Sequence, residues 1–182
     1  MTPFSAVAIV VAEPFLSFWI SPEFGQDAAI VGIIVLVGFW VNCFAVIPQA
    51  LIQARGRPDF IAKVHLAELL PYFLMLYIGL IFLGFPGAAI AFSIRSTIDF
   101  VALAWLAGQL RTTMHDLVIP GVTISTLVLI VFTAEVGSTV WFALSVLIIS
   151  ISVFRGWITL PEGFKSKLRS LIGWRKRNSG RS

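Results

Sequence analysis

The sequence predicts an all-α integral membrane protein, a bundle of about six transmembrane helices. Three observations predict it. First, 58% of the 182 residues are hydrophobic and 12% are charged, with a mean hydropathy of +0.96. A soluble domain carries about 25% charged residues, so this chain lacks the polar groups to cover a water-facing surface, and lipid must cover much of it. Second, the apolar runs are continuous over roughly 20 residues, the length of helix that crosses a hydrocarbon core about 30 Å thick. A membrane barrel would show short strands of alternating polarity instead. Third, the connections between the runs sort by charge.

The runs can be justified in order. The first, about 4–20, lacks the basic start of a signal peptide and contains Glu13 and Pro14, so it reads as a span that stays. The second, about 28–53, is long enough to span with tilt. Its Asn42, Pro48, Gln49 and Gln53 give it a polar side. The third, about 64–83, opens on His65 and Glu68 and contains Pro71. The fourth, about 87–108, begins Gly87-Ala88-Ala89-Ile90-Ala91, small residues that allow close helix packing, and carries Arg95 and Asp99. The fifth, about 117–134, contains Pro120, and the sixth covers about 138–160. Each internal proline removes an N–H and frees a carbonyl one turn back, a feature of moving cavities and static bundles alike. Residues 161–182 form a basic tail. There Phe164, Leu168, Leu171 and Ile172 oppose Lys165 and Arg169 at helical spacing, which predicts a short helix lying in the interface.

Charge orients the bundle. The segment 21–27 holds two acids and no Lys or Arg, whereas 54–59 holds Arg55 and Arg57, with Lys63 just beyond. The 84–87 turn is uncharged, the next connection carries Arg111 beside His115 and Asp116, and 135–137 has no Lys or Arg. Eight of the thirteen Lys and Arg residues lie from Arg155 onward. The positive-inside rule then places the second, fourth and tail connections, and both termini, in the cytoplasm. Trp19 and Trp141 fall at the outer interface and Trp105 and Trp157 at the inner one, while Trp40 lies deeper and packs. The basic tail suits anionic lipid headgroups rather than nucleic acid. The lone Cys43 reads as a small buried residue and cannot form an intrachain disulfide.

Ionisable groups at mid-bilayer each cost about 2.5–3.5 kcal/mol on insertion scales and mark candidate sites. Arg95 and Asp99 stand four apart on one helical face, either as a mutual ion pair or facing a cavity that meets an anionic or ion-coupled cargo. His65 and Glu68 stand three apart. His-x-x-Glu offers two metal ligands, too few for a site, and an interfacial hydrogen-bonding pair is the plainer reading. Glu13 and Gln49 complete the substrate- or ion-binding candidates. No nucleotide loop, cofactor signature or catalytic set is present, so an enzyme is not expected. A membrane-embedded transferase using His115-Asp116 or His65 is the weakest alternative.

Particular stretches resemble the C-terminal part of the O-antigen-type flippases of the multidrug/oligosaccharidyl-lipid/polysaccharide superfamily. They are Pro14-Phe15-Leu16-Ser17-Phe18-Trp19-Ile20 with Phe24-Gly25, then Ile47-Pro48-Gln49-Ala50-Leu51-Ile52-Gln53-Ala54-Arg55-Gly56-Arg57, then Glu68 and Tyr72. Last comes Gly84-Phe85-Pro86-Gly87-Ala88-Ala89-Ile90-Ala91-Phe92-Ser93-Ile94-Arg95, with Asp99. From about Gly108 onward only hydropathy is similar. Ser21 stands where the family more often has Gly. The resemblance implies one lobe of a two-lobed flippase, with extra C-terminal helices, in a bacterial-type cytoplasmic membrane. It implies alternating access around a cationic cavity, a lipid-linked oligosaccharide as cargo, and an anion-facing role for Arg95. It also implies that the chain is incomplete on its own, needing an N-terminal half-transporter chain or self-association. A non-transporting scaffold or degenerate transporter is the alternative.

Overall fold

The computed structural model describes residues 2–133 and 139–158. These form six helices: α1 (Thr2–Trp19), α2 (Pro22–Ala54), α3 (Pro58–Leu83), α4 (Phe85–Leu106), α5 (Leu110–Thr133) and α6 (Thr139–Ile158). There is no strand among the described residues. Five helices are long and apolar enough to cross a bilayer, and Trp141–Gly156 forms a shorter apolar helix. The chain is a multi-pass α-helical membrane protein. The expected interfacial helix in the tail and the 135–137 connection lie outside the described residues.

Helix starts and stops follow local chemistry. Pro58 opens α3, where its missing N–H would have no partner anyway, and Asp59 places a negative charge in the first turn. α2 and α4 end in the same motif. After α2, the N–H groups of Gly56 and Arg57 reach back to the carbonyls of Gln53 and Ile52, and after α4 those of Gly108 and Gln109 reach Trp105 and Ala104. Gly56 and Gly108 both have φ +70°, the left-handed conformation this cap requires. A single residue, Gly84 at φ +64°, separates α3 from α4.

Three helices start earlier than hydropathy suggests. α2 begins at Pro22, α3 at Pro58 and α5 at Leu110, because each opens with a polar turn that is helical without being apolar. His115 and Asp116 therefore lie within α5 rather than in a connection. The 33 residues of α2 rise about 50 Å, more than the hydrocarbon thickness, so α2 tilts or projects.

Packing divides into two cores. α1, α2, α5 and α6 meet around Ile9, Ile33, Trp40, Leu127 and Trp141. Trp40 donates to Thr2 Oγ1 at 3.2 Å, fixing the start of α1 against the middle of α2. Trp141 is 7% exposed within this core, whereas Trp19 and Trp105 are exposed. Cys43, expected buried, is half-buried. The second core joins Ala45 and Ile52 of α2, Ile61 of α3, and Phe100 and Leu103 of α4. α4 sits between α2 and α3. Ser93 Oγ donates to the Ile34 carbonyl at 2.7 Å, and Arg55 Nη1 to the Ala107 carbonyl at 2.9 Å. Gly79 and Gly87 let α3 and α4 touch backbone to backbone; a Cβ on Gly79 would lie 2.6 Å from the Gly87 oxygen. The hydroxyls of Thr97, Thr123 and Thr126 bond the carbonyl four residues back, which satisfies them within their own helices.

Candidate functional site

Four ionisable side chains meet between α3 and α4. His65 and Glu68 occupy one face of α3, three residues apart. Arg95 and Asp99 occupy the facing side of α4, four apart. By helical rise, Glu68 lies about 15 Å from the start of α3 and Arg95 about 15 Å from the start of α4, well inside both spans. The pairing is crosswise. His65 Nδ1 lies 3.2 Å from Asp99 Oδ1, and Arg95 Nε lies 3.8 Å from Glu68 Oε2. Arg95 and Asp99 are thus not each other's partners, and His65 and Glu68 are not a local pair. Arg95 also stacks over Tyr72, with 5.2 Å from Cζ to the ring centroid.

The four differ in exposure. The Glu68 and Asp99 side chains are each 9% exposed, Arg95 33% and His65 40%. The two acids are the more buried members, and Arg95 and Glu68 line a groove of about 380 Å³ together with Val64, Ala67, Pro71, Met75, Ile98 and Ala102. Pro71 has no N–H for the Ala67 carbonyl, so the groove gains a backbone acceptor one residue before Glu68. Neither cross-helix contact is a hydrogen bond. His65 Nδ1, both Glu68 carboxylate oxygens and Asp99 Oδ1 are buried without hydrogen-bond partners. Buried polar groups in native proteins are normally satisfied, so four orphans in one place ask for a ligand, a proton or water.

The remaining candidates lie elsewhere. Glu13 is half-buried on α1, which packs on α2, α5 and α6. Gln49 is half-buried on α2. No hydrogen bond or ion pair joins either to the α3–α4 cluster among the described residues. His115 Nδ1 and Asp116 Oδ1 are 3.6 Å apart and exposed, beside a separate cavity of about 510 Å³ whose lining includes Thr2, Thr123 and Arg155. Tyr72 is the site residue that charge-based reading passes over; its signals are its four-residue offset from Glu68 on the same helix and its place in the family resemblance.

A multi-pass helical membrane protein with an interhelical charge cluster open to a mid-span groove is a class shared by many transporters. Within that class, the chain is 34% identical over 104 residues to the putative O-antigen transporter of Shigella flexneri, a match covering 57% of this chain and 25% of that relative. The relationship to O-antigen-type flippases is therefore shared over part of the chain. No protein-family model matches the chain, and no solved structure matches it.

Proposed function

We propose that this chain forms part of a flippase that moves lipid-linked oligosaccharide across a bacterial cytoplasmic membrane. Its α3–α4 hairpin would line the passage. One observation carries the reading: Arg95, a third exposed, lines an open groove beside Glu68 within the spans rather than the bundle core. A charged group at that depth needs protein or water beside it, so the groove belongs against further helices and a wet cavity. Further spans, from another chain or a second copy, complete that cavity. Arg95 supplies the cation that meets a phosphate-bearing cargo, and Glu68 holds the guanidinium in place between cycles. The partial relationship to the putative O-antigen transporter supports the choice of cargo class. The excess of Lys and Arg at the α2–α3 turn supports a cytoplasmic position for that turn and for both termini.

Deleting the chain from its host and measuring surface polysaccharide tests the reading. Export should fall, the wild-type chain should restore it, and Arg95→Ala and Asp99→Ala should insert at normal levels without restoring it. Unchanged surface polysaccharide after deletion would sink the proposal, and full rescue by Arg95→Ala would remove the anion-facing role. Orientation is checked separately. In a Cys43→Ser background, a cysteine at Arg57 should react with a membrane-impermeant reagent only after the cells are opened.

A further inference from the structure

We infer that His65, Glu68 and Asp99 form a binding site for a divalent transition-metal ion of the zinc type, within the membrane-spanning part of the bundle. Each residue offers one ligand atom, and the three atoms lie within 4.8 Å of one another. Sequence shows only two of these ligands together, on α3, and the third arrives from α4 across the hairpin. A tetrahedral ion with bonds of about 2.0–2.1 Å places its ligands about 3.3 Å apart. The 3.2 Å between His65 Nδ1 and Asp99 Oδ1 already matches that edge. Glu68 then needs to close the remaining gap by a side-chain rotation.

The second observation is the state of the ligands themselves. Glu68 and Asp99 are more than nine-tenths buried as residues, or within rounding of it, and their orphaned oxygens face the orphaned His65 nitrogen. A cation satisfies all of these atoms at once. Imidazole with two carboxylates suits zinc and related ions better than magnesium or calcium, which take oxygen ligands. With His65 neutral, Glu68 and Asp99 bring two negative charges and Arg95 one positive charge. Arg95 sits 3.8 Å from Glu68 Oε2, where it can hold the carboxylate from outside the ligand shell. The open groove beside Glu68 supplies the path in and a water for the fourth position. The site does not depend on what the bundle carries.

The test uses the full chain, purified in lipid nanodiscs, stripped with a chelator and titrated with Co²⁺. The wild type should take up one ion per chain with a visible ligand-field absorption that Zn²⁺ abolishes. His65→Gln and Asp99→Asn should each weaken binding by about 100-fold or more, since even an outer-shell partner is worth about 10–100-fold. His115→Ala should leave binding intact. Absence of saturable uptake, uptake that survives both substitutions, or uptake abolished by His115→Ala overturns the proposal. Should Asp99→Asn fail to fold, the His115→Ala chain keeps the test alive. His65 is then its sole histidine, and Zn²⁺ should block its modification by diethyl pyrocarbonate; an unprotected His65 counts against the site.

Discussion

Around α1, α5, α6 and the first half of α2, helices meet through large apolar side chains such as Ile9, Trp40, Leu127 and Trp141. Around α3 apolar packing is confined to its first turns, where Phe60 and Val64 pack beside Ile61. Its buried residues are Ile61 and Glu68, while Leu66, Leu70, Leu74, Tyr77 and Phe82 face outward. α3 is held instead by glycine contact at one end, by crosswise charges in its middle and by Ile61 near its start. The contrast shows how a lipid solvent changes the rules. Apolar side chains gain little by leaving lipid for protein, so close backbone approach and polar contacts decide which helices associate.

That contrast can be broken at several points. Gly87→Leu should have the largest effect. Its side chain would meet the backbone of Gly79, which cannot retreat without separating α3 from α4. The expected loss is more than about 3 kcal/mol, at the upper end of overpacking costs, read as loss of folded chain in detergent by thermal unfolding. Arg95→Ala should come next. It leaves Glu68 buried without its counter-charge, and breaking such a pair costs about 3–5 kcal/mol when both partners are buried. Arg95 is a third exposed, so about 2–3 kcal/mol is expected. Adding Glu68→Gln should recover most of it, and a double-mutant cycle with no recovery would dissociate the two residues. In the apolar core, Leu127→Ala should cost about 1–2 kcal/mol, because the cavity remains but the water-transfer contribution does not. A loss above that of Arg95→Ala would reverse the contrast. Ser93→Ala, which removes the bond to the Ile34 carbonyl, should cost about 0.6–1 kcal/mol in the same assay.

Much of this was legible in the sequence. An all-helical bundle with at least five helices long and apolar enough to cross a bilayer, and the small-residue packing at Gly87, Ala89 and Ala91, follow from hydropathy and residue size, and Ala89 and Ala91 are each 3% exposed. α2, α3 and α5 begin six or seven residues before their apolar runs, because residues such as Asp59 and Lys63, or Arg111 and Asp116, occupy helix without adding apolar signal. The members of the charge cluster were also visible one by one. Their partners were not. Spacing within a helix shows that Arg95 can reach Asp99, but which residue of α3 stands opposite depends on where Gly79 and Gly87 set the crossing. The burial of Trp141 was hidden for a similar reason: position along a span says nothing of which side faces a neighbour.

The one-residue link at Gly84 has a consequence for how the protein is made. A newly synthesised α3 entering the bilayer alone would bring His65 and Glu68 into hydrocarbon with no counterpart, and α4 alone would do the same with Arg95 and Asp99. Joined so tightly, the two can leave the insertion machinery as a preassembled hairpin whose opposite charges have already met. Insertion of α3 in a reporter fusion should therefore improve when α4 follows it, and lose that benefit when a long flexible linker replaces Gly84.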